Sequence, residues 1–140
     1  MTHKVNGALT LETVIPYLVR RGHLTAEELV ANGVKVFDAT RRNGNFRVER
    51  QSGHGLLLKQ ARELNALRTV AWEAQMYSAF QTFPASHPLR HYTVPLVDYD
   101  SKEGVLLLRG IPHGHSLAAH HIEGRFPFGP ARWMGHALAA

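Results

Sequence analysis

The chain has 140 residues, 44% hydrophobic and 19% charged, which suits one globular unit with a modest core. It contains no cysteine, which excludes a disulfide scaffold, thiol catalysis and cysteine-ligated zinc or iron–sulfur centres and fits a cytoplasmic home. The net charge of +5 comes mainly from twelve arginines set against eleven acids.

No stretch approaches the ~20 apolar residues that span a bilayer, so no membrane partner is expected. The basic residues are dispersed and adjoin only at Arg20–Arg21 and Arg41–Arg42. A nucleic-acid interface more often gathers them into a patch interleaved with aromatics, which disfavours nucleic acid as a partner.

Residues 10–22 read as a helix, with Thr10 as N-cap, Val14, Tyr17 and Leu18 as the apolar stripe and Gly22 as the stop. Pro16 inside it is expected to shift the start or kink the helix. Thr25 followed by Glu28 is a capping box for a second short helix, which Asn32-Gly33 ends. The pattern then turns to strands. Residues 34–39 form the first, 40–45 a polar loop, and 46–50 a second strand that alternates with period two. Residues 51–55 turn the chain into a third strand over 56–59, completing an antiparallel meander.

A connector over 60–68 leads into a helix over 69–80, where Val70, Glu73, Met76, Tyr77 and Phe80 share one broad face. Pro84 and Pro88 break the chain, and strands over 96–100 and 105–109 make a further hairpin. The expected fold class is α+β: a five-stranded antiparallel sheet with a helix between strands three and four, preceded by two short N-terminal helices. Trp72 and Trp133 fall in helical segments and are expected to pack in the core. Beyond residue 110 come a glycine- and histidine-rich passage, a helical turn capped by Ser116, a loop over 123–130 and a helix from Ala131. His113, His115, His120 and His121 read as polar surface, since no cysteine or spaced His-Glu-x-x-His motif accompanies them. No metal ligands are assigned.

The chemistry concentrates in residues 43–73. A tight Asn43-Gly44-Asn45 turn can present backbone N–H groups to phosphate oxygens, and Arg41 and Arg42 add positive charge beside it. Asn-Gly is equally the commonest hairpin turn, so the turn alone decides nothing. Leu57 and Lys59 are two apart and face one side of the sheet. Glu73 lies among Val70, Ala71, Trp72, Ala74 and Met76, and a carboxylate in such company calls for a partner, because burying an unpaired charge is costly. Lys59 is the simplest one.

This order of strand, polar turn, strand, strand ending in lysine, helix with glutamate and hairpin resembles the small lobe of protein-kinase-like folds. Residues 41–48, Leu56-Leu-Leu-Lys59 and Trp72-Glu73 look most like the aminoglycoside phosphotransferase and choline kinase branch. The resemblance implies ATP as the ligand, with Asn43, Gly44 and Asn45 over its phosphates. It implies Val48 and Leu57 as the ceiling above adenine, and Lys59 on the phosphates oriented by Glu73. Arg109, Gly110, Ile111 and Pro112 would form the hinge along the adenine edge, with Met76 and Leu108 behind the pocket. It divides the chain into an N-terminal helical extension (1–33), a kinase-like small lobe (34–110) and a hinge with the start of a truncated large lobe (111–140).

One departure is decisive for catalysis. The aspartates are Asp38, Asp98 and Asp100, and none follows a histidine–glycine pair as the family's catalytic-loop aspartate does. No catalytic residue is therefore assigned, and magnesium would enter only with a catalytic lobe supplied elsewhere. Asp98-Tyr99-Asp100 reads as a strand end. The uncovered apolar helix of the last segment adds an expected protein partner, or self-association, through residues 111–140. The alternative function is a non-catalytic module that binds a partner protein or peptide.

Overall fold

A computed structural model describes residues 7–31, 33–51, 53–111, 122–124 and 128–139. Helix α1 (Leu11–Arg20) begins as expected, with Thr10 as N-cap and its amide donating to Thr13 Oγ1 at 2.8 Å. Gly22 ends it with φ of 76°, a left-handed conformation that glycine adopts without steric cost. Pro16 does not move the start. It lies exposed in mid-helix one turn after the exposed Glu12, so the carbonyl that proline leaves unpaired is on the solvent side. Helix α2 (Ala26–Val30) carries the expected capping box: Thr25 Oγ1 accepts from the Glu28 amide at 3.3 Å, and Glu28 Oε2 accepts from the Thr25 amide at 2.8 Å.

Strands β1 (Val34–Asp38), β2 (Gly44–Arg50), β3 (Leu56–Gln60), β4 (Leu96–Asp100) and β5 (Val105–Arg109) form one antiparallel sheet in the order β1-β2-β3-β5-β4. Helices α3 (Leu64–Thr82) and α4 (Pro88–Tyr92) connect β3 to β4, and α5 (Phe128–Ala139) follows β5. The protein is α+β. Helix α3 starts at Leu64, so most of the expected connector is helical. Ala66 and Leu67 pack against the core, and that burial recruits the extra turn. Pro88 opens α4 at its first turn, where proline's missing N–H would have no helical partner anyway.

One face of the sheet is buried and the other only in part, since Arg47 and Glu49 of β2 stand exposed on it. On the first, Phe46, Val48, Leu56, Leu58, Val105 and Leu107 meet Val14, Tyr17 and Leu18 of α1. On the second, Leu106 packs with Ala61 and with Val70 and Ala74 of α3. Small buried residues let α3 approach the strands closely, and they leave its large ones outside. Trp72 is 68% exposed and Met76 43% exposed, so the core placement expected for Trp72 is wrong. Two positions past the buried Val70, a helical side chain is turned about 200° away from it.

Gln60, fully buried, fastens the N-terminal segment to the sheet. Its Oε1 accepts from the Leu9 amide at 2.7 Å, and its Nε2 donates to the Gly7 carbonyl at 3.1 Å and the Glu103 carbonyl at 3.3 Å. A buried amide with both ends satisfied costs little to bury and fixes one arrangement.

A second fastening joins α1 to β4. The Tyr17 hydroxyl donates to Asp100 Oδ2 at 3.3 Å, Arg21 donates twice to Asp98 Oδ2 at 3.1 and 2.5 Å, and the His23 ring meets the same oxygen at 2.8 Å. Arg20 reaches Glu103 at 2.8 Å. Burial alone would push the Asp98 carboxyl up, but the hydrogen bonds from His23 and Arg21 and the Arg21 charge together hold it below the ordinary carboxylate range. Below about pH 4 the unfolded chain takes up a proton at this position before the folded one does, so the contribution is full above that pH and fades as pH falls. The urea midpoint is expected to drop between pH 7 and pH 3, and to drop less in Asp98→Asn. An identical drop in the variant would remove Asp98 as a cause.

Candidate functional site

Lys59 and Glu73 meet as the sequence leads one to expect. Lys59 Nζ donates to both Glu73 oxygens, at 2.5 and 2.8 Å, bridging the third strand to the middle of α3. Their side chains are 30% and 27% exposed, which screens the pair incompletely while leaving the ammonium reachable from solvent. Strand and helix each fix one partner. Lys59 is held in register opposite Asn45 on β2 and Leu106 on β5, and Glu73 stands one residue before the buried Ala74.

Cross-strand pairing then sorts the remaining residues by face. Leu57, opposite Arg47 and Leu108, shares the Lys59 face, as does Asn45. Val48 does not. It pairs with Leu56 and is fully buried against the N-terminal helices, on the opposite face. A ceiling made of Val48 and Leu57 together is therefore ruled out by strand parity, and Arg47 is the β2 residue beside Leu57. The Arg47 guanidinium lies over the Phe37 ring at 4.6 Å and bridges Glu49 at 3.2 Å. Behind the pair, Leu108 packs at the margin of the α3 core, whereas Met76 is 43% exposed and belongs to neither core cluster.

The turn between β1 and β2 is also organised differently from expectation. Asn45 lies within β2, and its amide donates to Thr40 Oγ1 at 3.2 Å while its side chain donates to the Asn43 carbonyl at 3.2 Å. The Arg41 amide donates to the same carbonyl at 3.4 Å. One N–H group of the expected cradle, that of Asn45, is thus spent inside the loop, because the Thr40 hydroxyl competes for it. Gly44, paired with Gln60, is buried at the start of β2.

The expected hinge sits at the other end of β3 and β5. Arg109 pairs with Leu56, and its amide donates to the Pro95 carbonyl at 2.9 Å. Gly110 donates to the Gly55 carbonyl at 2.6 Å, with the two backbones in contact: a Cβ on Gly110 would lie 2.7 Å from the Gly55 carbonyl carbon. Both amides are engaged, and Ile111 next to them is exposed. From the Leu56–Arg109 pair to Lys59 is three residues along β3, about 10 Å.

All three aspartates are occupied with local structure. Asp38 Oδ1 accepts from the Thr40 amide at 2.7 Å. Asp98 takes the α1 partners described above, and Asp100 Oδ1 accepts the turn amides of Lys102 and Glu103 at 3.0 and 3.1 Å. His113, His115, Ser116, His120 and His121 lie outside the described residues, as does Pro112. Among the described residues no helix is long and apolar enough to cross a membrane. Gln60 and the Arg21–His23–Asp98 cluster went unnoticed in the sequence. The only hint was their polarity beside apolar strands, which does not name a partner.

No protein-family model and no curated protein matches the chain.

Proposed function

We propose that this chain is an ATP-binding small lobe of the kind found in aminoglycoside phosphotransferases and choline kinases, and that on its own it transfers no phosphate. The Lys59–Glu73 pair carries the reading. A lysine held by two carboxylate oxygens from a neighbouring helix, and still open to solvent, is an ammonium aimed at an anionic ligand. The strand order and the position of α3 between β3 and β4 favour the same reading. The spacing of about 10 Å from the Arg109–Gly110 end to Lys59 suits a ligand with a base at one end and phosphates at the other. Leu57 and Leu108 stand between, and Asn45 beside the lysine.

Turnover needs a group that orients the nucleophile and acidic ligands for magnesium. Asp38, Asp98 and Asp100 are committed elsewhere, so a catalytic lobe would have to supply both. Calorimetric titration with a non-hydrolysable ATP analogue and magnesium is expected to show binding, and incubation with ATP and magnesium to show no turnover. Absence of binding overturns the first half of the reading, and robust turnover the second. A second reading, a non-catalytic module for a partner protein or peptide, rests on the exposed Trp72 and Met76 of α3 and the exposed Met134 and Leu138 of α5. It is the one favoured if no analogue binds.

A further inference from the structure

The end of the sheet where β1 turns into β2 holds a second cation, on the side away from Lys59. Arg62 follows β3 at that end, and its Nε is buried without a hydrogen-bond partner among the described residues. The guanidinium rests against Gly44, where a Cβ would lie 3.1 Å from Nε and 3.6 Å from one terminal nitrogen. Gly44 alternates with Asn45 along β2 and so shares the face of Phe46 and Val48, whereas Lys59 lies on the other. The two cations therefore serve different surfaces.

Asp38 lies near enough to feel the Arg62 charge, but its hydrogen bonds go to Thr40, and among the described residues it forms no ion pair with Arg62. Arg41 and Arg42 stand exposed in the adjoining loop. Helix α3 starts two residues after Arg62, and its N-cap, the exposed Glu63, makes no capping hydrogen bond, so the positive end of a 19-residue helix is uncapped here as well.

A guanidinium cannot shed its charge, and with Nε closed off by the fold its terminal nitrogens are the edge an anion can meet. Its planar fork matches phosphate oxygens two at a time. We propose that Arg62 anchors a phosphate-binding site at the β1–β2 end of the sheet, with the guanidinium seated in the space that Gly44 leaves, independent of the Lys59–Glu73 pair. The ligand is a phosphate group, either free or carried by a nucleotide.

Thermal unfolding of the full chain in inorganic phosphate, in pyrophosphate and in an ATP analogue, each against sodium chloride of equal ionic strength, tests this. Phosphate and pyrophosphate are expected to raise the wild-type Tm beyond the chloride control, because a ligand of the folded state stabilises it. Arg62→Met is expected to lose that rise, and Lys59→Met to keep it. Arg62→Lys, which keeps the charge without the fork, is expected to bind at least tenfold more weakly and guards against a methionine variant that fails to fold. A rise with the ATP analogue alone that Arg62→Met keeps, no rise over chloride with any of the three, or an undiminished rise in Arg62→Lys overturns the site. An ATP-only rise that Arg62→Met loses assigns the phosphate to a nucleotide. A rise lost in Lys59→Met and kept in the Arg62 variants also overturns it, while leaving the reading of Lys59 standing.

Discussion

Lys59→Met is expected to weaken binding of an ATP analogue by about 10–100-fold, the loss that accompanies one charge-assisted hydrogen bond. The strand itself should survive, since methionine retains the apolar length of the stem that lies along the sheet. Glu73→Ala tests the same geometry from the other side. It leaves the ammonium free to swing into water, so affinity falls although the cation is still present. Without ligand that variant should lose only about 1–2 kcal/mol of stability, less than a fully buried pair, because water reaches both partners. Calorimetry measures the first effect and urea unfolding the second. Unchanged affinity in Lys59→Met would falsify the assignment of the lysine to the ligand.

The second large effect concerns the core. Phe46 is 1% exposed between the sheet and the N-terminal helices, and Phe46→Ala is expected to cost about 3–5 kcal/mol. Set against a total stability of about 5–15 kcal/mol, that loss leaves a protein near its unfolding threshold. Trp72→Ala, by contrast, should stay within about 0.5 kcal/mol, because the indole stands outside the fold. Urea midpoints of the two variants decide the point. A larger loss for Trp72 than for Phe46 would mean that the indole is covered in solution.

These contrasts mark how far the residues alone could lead. The starts of α1 and α2 were legible because capping is local: Thr13, Thr25 and Glu28 each accept from an amide three positions away. The second strand was legible from its period-two alternation and the other four as short runs bounded by turn residues, and the Lys59–Glu73 pair from the cost of leaving Glu73 alone. What failed depended on partners distant in sequence. Val48 was assigned to the ligand side, yet Leu56, Leu57 and Leu58 are all apolar, so β3 gave no sign of which face the N-terminal helices cover. Only the strand register resolves it. A tryptophan in a helical segment reads as core, although Val70 and Ala74 occupy the buried stripe and leave Trp72 none. Gln60, Arg62 and Arg21 looked like ordinary polar residues. Their roles come from Gly7 and Leu9, from Gly44, and from Asp98, each brought close by the fold rather than by the chain.

The contact between Gly55 and Gly110 bears on how this sequence can drift. A side chain on Gly110 would meet the Gly55 backbone at 2.7–3.0 Å, and one on Gly55 would meet the Val48 carbonyl oxygen at 2.9 Å. Each obstacle is main chain, which no rotamer change can move aside. A substitution at either site is absorbed only by parting the strands, and a compensating change at the other has no side chain left to remove. The two positions are in effect closed to single-step exploration, so variation at this end of β5 would have to enter at the exposed Ile111 instead.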